Sequence, residues 1–181
     1  MYLLRRRNTL KQRAINYQSD ATRVALIAER HLNQMTTKQK QIKWVAVSGG
    51  FDPLHIGHVR MFEQAKKLGD KLVVILNNDN WLMDKKGFVF MKQKERAEII
   101  RALSCVDKVV ITTHVKGDKD RSVCNKLAIL KPYIFANGGD RKSKMDIPEK
   151  RTCELNGIYM KFNIGGGKVQ SSSWLTDKIK K

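Results

Sequence analysis

Residues 43–68, KWVAVSGGFDPLHIGHVRMFEQAKKL, hold the reading on which the fold turns. Lys43–Val47 (KWVAV) is a short run rich in apolar and β-branched residues, the composition of a strand covered on both faces. From His58 to Leu68 the apolar Val59, Phe62 and Ala65 recur at helical spacing, and Gly69 follows as a stop. Between the two lies Ser48–His58, SGGFDPLHIGH. A strand, a glycine loop and a helix in that order open a parallel crossover unit.

The alternation continues outward. Lys71–Leu76, Lys108–Ile111, Tyr133–Ala136 and Ile158–Phe162 read as further short strands. Helical stripes fall in Lys92–Leu103 (Ala97, Ile100, Leu103) and Arg121–Leu130 (Val123, Leu127, Leu130). Pro148 can open a helix running towards Asn156, and Ser172 or Ser173 can cap a last one down to Ile179. The expected fold is α/β: a doubly wound, Rossmann-like, parallel five-stranded sheet with flanking helices and an N-terminal helical extension. Residues 1–42 are expected as the basic extension and 43–181 as the domain. Ligands of such folds bind beyond the carboxyl ends of the strands, near the reversal of strand order.

Composition bounds the function. The 181 residues carry 36 Lys and Arg against 17 Asp and Glu, a net charge of +19, and 41% are hydrophobic, enough for a packed core. No apolar run approaches the roughly 18 residues of a bilayer span, and no secretory signal is evident, so neither a membrane span nor export is expected. Cys105, Cys124 and Cys153 match no zinc spacing and are odd in number, which points to reduced thiols and a cytoplasmic setting. Residues 1–43 hold 10 basic and 2 acidic side chains and no Gly or Pro. Within them Ala21–Met35 places Val24, Ile27, Ala28 and Leu32 at helical spacing behind the Arg5–Arg7 run. This arm reads as a helix packed on the domain or its mate, as a binder of a phosphate-rich partner, or as an Arg-rich transit peptide.

Three loops fall at the ligand-binding edge. In Ser48–His58, Gly49 and Gly50 permit close backbone approach, and the helix start that follows favours phosphate. His55 and His58, three apart, share one face and can hold the charge of a phosphoryl group in transfer; zinc is the weaker reading, because only Asp52 offers a third ligand nearby. Asn137–Arg141 (NGGDR) brings Gly138, Gly139, Asp140 and Arg141 to a base or ribose. Gly165–Ser173 (GGGKVQSSS) offers Lys168 and the hydroxyls of Ser171, Ser172 and Ser173 as an anion cradle. After the second strand and up to Gly87 lies Asn77–Gly87 (NNDNWLMDKKG), which carries Lys85 and Lys86.

The frame GGFDPLHIGHV resembles the GxFDxxHxGH signature of the cytidylyltransferase-like nucleotidyltransferases, as in glycerol-3-phosphate cytidylyltransferase and heptose-phosphate adenylyltransferase. The likeness runs from about Lys43 to Ile179 and leaves the basic arm unexplained. It implies Gly49, Gly50, Phe51 and Asp52 against the nucleotide, and His55, His58, Lys85 and Lys86 in catalysis. It also implies Ser171–Ser173 at the outer phosphates and Asn78 and Asp79 near the acceptor. The GGD of residues 138–140 is closer to the heptose-phosphate enzymes, and the Arg-Thr-Glu-Gly run of many cytidylyl enzymes is absent.

The implied reaction is transfer of CMP or AMP from CTP or ATP to a small phosphorylated acceptor such as a sugar or polyol phosphate, with release of pyrophosphate. Mg2+ would ride on the triphosphate without direct protein ligands, Asp52 being the one candidate to assist. A homodimer suits both the resemblance and the arm. Two other readings stand beside it: adenylyl transfer to a non-sugar acceptor, as in FAD synthases, and a basic nucleic-acid-binding module on an idle fold. Aromatics at 7% and the lack of basic-aromatic interleaving weigh against the module.

Overall fold

The structure, a computed structural model, describes residues 22–29, 41–138, 147–166 and 170–177. The chain divides into two units, Met1–Gln41 and Ile42–Lys181. In the first, residues 22–29 form a helix (α1) whose Val24, Leu26 and Ile27 are exposed. The Arg5–Arg7 run and Leu32 lie outside the described residues.

The second unit contains β1 (Trp44–Gly49), α2 (Ile56–Lys66), β2 (Lys71–Leu76), α3 (Asp79–Lys86), α4 (Gln93–Arg101) and β3 (Lys108–Ile111). It continues with α5 (Cys124–Leu130), β4 (Ile134–Gly138), α6 (Lys150–Leu155), β5 (Tyr159–Ile164) and α7 (Ser172–Asp177). The strands pair in parallel in the order β3-β2-β1-β4-β5. The alternation of strand side chains divides the core in two. Val45, Val47, Leu72, Val74 and Leu76 pack with Phe62 and Ala65 of α2 and Ala97 and Ile100 of α4. Ala46, Val73, Ile75 and Phe135 pack on the other face with Leu127 of α5, Cys153 of α6, and Val123 and Ile147. Helices on both faces make the sheet doubly wound, and the strand order reverses at β1, between β2 and β4.

Several boundaries differ from the sequence expectation. β1 runs on to Gly49 because Ser48 and Gly49 pair with Ile75 and Leu76. α2 starts at Ile56, two residues early, since the His55 carbonyl already accepts from the amides of His58 (2.9 Å) and Val59 (3.3 Å). α5 begins only at Cys124, because Asp120 and Ser122 bind the amides of Ser122 and Cys124 in local turns. Residues 79–86, to which the sequence reading assigned no element, are the helix α3. The Asn78 side chain accepts from the Trp81 amide (3.0 Å), and Gly87 closes the helix in the left-handed region at φ 77°. The three cysteines are free thiols, and burial raises Cys153 to about 11. Among the described residues no helix is long and apolar enough to cross a membrane.

Candidate active site

A cleft of about 470 Å³ opens beyond the carboxyl ends of the strands. Its floor is the loop after β1. Phe51 occupies the left-handed region (φ 48°), an uncommon place for a bulky residue, and its ring is buried. That ring packs edge-on against His58 (centroids 4.9 Å apart) and Phe62 (5.0 Å), so it backs the imidazole from the core side. The space a Cβ would take at Gly49 is held by this same ring, 2.8 Å away.

His55 caps α2, and the first turn brings His58 back onto it. The two rings stack with centroids 3.6 Å apart and planes 22° apart. The His55 amide donates to His58 Nδ1 at 3.3 Å. Acceptance at Nδ1 puts the proton of a neutral His58 on Nε2. Burial, then His55, then Lys86 push His58 down to about 3. Burial and Lys86 also lower His55. The free site therefore holds two neutral imidazoles at physiological pH. No acidic side chain stands in the first turn of α2, so no carboxylate of the helix competes there with an anionic ligand.

Lys85 and Lys86 close the side of the cleft formed by α3. Lys86 Nζ donates to the Asp52 carbonyl (2.9 Å), and burial pulls its ammonium below the usual lysine range, with Asp52 opposing and Lys85 and Arg96 adding. Lys85 Nζ lies 4.5 Å from the centre of the Trp81 ring. From the other end of the chain, Ser171, Ser172 and Ser173 line the same cleft, and Ser172 Oγ donates to the Pro53 carbonyl (3.0 Å). Gly138, Gly165 and Gly166 complete that side.

Other expected site residues are placed differently. The Asp52 carboxylate is fully buried and accepts from the amides of Phe90 (2.8 Å) and Met91 (2.7 Å), so it braces the loop between α3 and α4. Asn78 caps α3 and donates to the His114 carbonyl (2.7 Å), and Asp79 pairs with Arg96 (2.7 Å); neither lines the cleft. Gly139, Asp140, Arg141 and Lys168 lie outside the described residues. Among the described residues, no three His, Cys, Asp or Glu side chains assemble into a metal-ligand set.

Sequence reading missed several lining residues, among them Asn77, Trp81, Arg121, Glu149 and Trp174. It also missed Arg96, which is fully buried beneath the loop. Its guanidinium donates to the carbonyls of Gly50 (2.6 Å), Asn77 (2.8 Å) and Met91 (2.9 Å). An arginine in a helical stripe carries no sequence sign that it points inward.

The cytidylyltransferase-like family matches residues 46–180. The FAD synthase of Thermococcus sibiricus is 41% identical over 106 residues, 58% of this chain and 68% of that protein. The bifunctional protein HldE of Helicobacter pylori strain HPAG1 is 36% identical over 148 residues, 81% of this chain but 29% of its own length. The crystal structure of the lipopolysaccharide core biosynthesis protein from Thermoplasma volcanium superposes with a TM-score of 0.57 at 27% identity, over 70% of this chain and 99% of that one. Because the family match takes in nearly all of the unit that carries the cleft, the chain belongs to the cytidylyltransferase-like family, and it is a nucleotidyltransferase.

Proposed function

We propose that the enzyme transfers a nucleoside monophosphate, AMP or CMP, from ATP or CTP to a small phosphorylated acceptor such as a sugar or polyol phosphate. The observation that carries this reading is the convergence, in one cleft, of the stacked His55–His58 pair, Lys85 and Lys86, and the hydroxyls of Ser171–Ser173. The acceptor phosphate oxygen attacks the α-phosphorus in line, the bond to the β-phosphate oxygen breaks, and pyrophosphate leaves. The nucleophile is already an anion, so no proton need move. Catalysis then reduces to alignment and charge stabilisation. Neutral His55 and His58 donate to the α-phosphoryl oxygens. One of Lys85 and Lys86, together with Ser171–Ser173, holds the leaving group. Mg2+ bound to the triphosphate would neutralise its oxygens, held by substrate and water, since both Asp52 carboxylate oxygens are already engaged by amides.

A second reading is adenylyl transfer to a flavin phosphate, favoured by the likeness to FAD synthases. A pyrophosphate-release screen of ATP and CTP against sugar, polyol and amino-alcohol phosphates and flavin mononucleotide separates the two. Release with one pair identifies base and acceptor together; a folded enzyme that releases pyrophosphate with none overturns the proposal. His58→Ala is expected to fold and to lose roughly 100–1,000-fold in turnover, as loss of a charge-stabilising donor does elsewhere. Turnover near that of the parent would remove the histidines from the mechanism. The resemblance further favours a cytoplasmic homodimer, and sedimentation of the full chain tests the dimer.

A further inference from the structure

Two asparagines follow β2, and their side chains are used differently. The Asn78 carboxamide is engaged at both ends: Oδ1 accepts from the Trp81 amide (3.0 Å) and Nδ2 donates to the His114 carbonyl (2.7 Å). Asn77 is fixed through its backbone. Its amide donates to the Gly49 carbonyl (2.9 Å), and its carbonyl accepts from Arg96 Nη1 (2.8 Å), which also donates to the Gly50 carbonyl (2.6 Å). The buried guanidinium thus locks Asn77 to the glycines of the signature loop. The residue is 4% exposed and lines the cleft, yet its Oδ1 has no donor among the described residues. A buried carbonyl oxygen without a donor is costly, so it points to a partner from outside the chain.

The wall around it narrows what that partner is. From the end of β2 through α3 the cleft is lined by Asn77, Trp81, Lys85 and Lys86. The last three side chains only donate, and the Trp81 indole N–H is already given to the Arg121 carbonyl (2.8 Å). Asn77 is the side-chain acceptor of this wall. The ionised phosphates of both substrates are acceptors themselves, so the donor comes from an uncharged part of a substrate. The terminal torsion of an asparagine is broad and two-fold, so the carboxamide can turn its oxygen onto the cleft. The sheet order puts this wall on one side of the histidine loop and the loops after β4 and β5, with Ser171–Ser173, on the other. In-line displacement sets nucleophile and leaving group on opposite sides of the α-phosphorus. With pyrophosphate on Ser171–Ser173, the acceptor lies along Asn77.

We propose that Asn77 is a specificity-determining residue whose side-chain carbonyl accepts a hydrogen bond from an acceptor hydroxyl next to the attacking phosphate, and so selects hydroxylated acceptors over alkyl or quaternary-ammonium ones. The inference rests on the nucleotidyl-transfer reading above. An acceptor with the hydroxyl gives the buried oxygen its partner. One without it leaves that oxygen unpaired, and a site built around a hydrogen bond rejects such an analogue.

The test uses the full chain with Asn77→Leu, which removes the carbonyl, and Asn77→Asp, which keeps it. Each is given the acceptor found by the screen and the analogue of that acceptor lacking the hydroxyl beside the phosphate-bearing carbon. The parent should favour the hydroxylated acceptor about tenfold in kcat/KM. Asn77→Asp should keep a preference, whereas Asn77→Leu should handle the two acceptors within about twofold of each other. A preference that survives in Asn77→Leu or vanishes in Asn77→Asp, or a productive acceptor without a hydroxyl such as choline phosphate, overturns the proposal and leaves nucleotidyl transfer standing. No turnover with any pair overturns the transfer reading itself. A second measurement needs no acceptor. Because Asn77 Oδ1 bonds nothing among the described residues, Asn77→Leu should unfold in denaturant at or above the midpoint of the parent. A lower midpoint would assign Asn77 a structural role and overturn the proposal.

Discussion

Burial acts on both imidazoles of the site in one direction, and the stacked geometry adds to it, since protonating either ring would place a cation within 3.6 Å of its neighbour and near the Lys86 ammonium. His58 moves from 6.5 in the unfolded chain to about 3 in the fold. Between those values the unfolded chain holds the extra proton, so stability is intact above pH 6.5 and falls as the pH is lowered towards 3. Urea midpoints of the parent should therefore drop more steeply between pH 6.5 and 4 than those of His58→Gln, by up to about 1.4 kcal/mol per pH unit. Parallel curves for the two proteins would show that His58 stays protonated in the fold. Phe51 backs the His58 ring, and its own place depends on Gly49. In Gly49→Ala the new methyl meets the Phe51 ring at 2.8 Å, with a cost of about 1–3 kcal/mol, seen as a lower thermal midpoint, together with slower pyrophosphate release as His58 is displaced.

Arg96 on α4 ties the signature loop, the end of β2 and the α3–α4 connection into one rigid piece, and the buried Asp52 carboxylate ties the same connection from the opposite side. Arg96→Leu leaves three carbonyls without their donor and Asp79 without its ion partner, so a loss of about 3–5 kcal/mol is expected in denaturant unfolding. Arg96→Lys should recover only part of it, because an ammonium lacks the fork that reaches four acceptors. This network shows why the site was only partly legible in the sequence. The strands declared themselves as apolar runs, and the histidine pair, the lysine pair and the serine run were visible because each set lies within a few residues. α3 was not legible as a helix: its buried residues Trp81 and Leu82 are adjacent rather than three or four apart, and only its ends, Asn78 and Gly87, carry helix signals. Arg96 finds Gly50 46 positions away, and Trp81 finds Arg121 40 positions away, so both roles exist only once the sheet has brought those loops together.

A net charge of +19 on 181 residues sets the field in which both substrates, each a polyanion, approach the cleft. Part of that charge lies on the first unit, but Lys85, Lys86 and Arg121 line the cleft itself, where their charge acts directly on an anion that enters. Screening distinguishes steering from contact: at about 0.1 M salt, charges more than roughly 10 Å apart cease to feel each other, while groups touching the phosphates still do. Raising sodium chloride from about 50 to 300 mM should therefore raise the triphosphate KM several-fold and leave kcat nearly constant. A chain starting at Ile42 carries the whole sheet and cleft, so it is expected to fold and turn over, and to keep most of that salt dependence. Loss of the dependence on truncation would assign substrate attraction to the basic arm instead, and a KM indifferent to salt in the full chain would exclude electrostatic steering altogether.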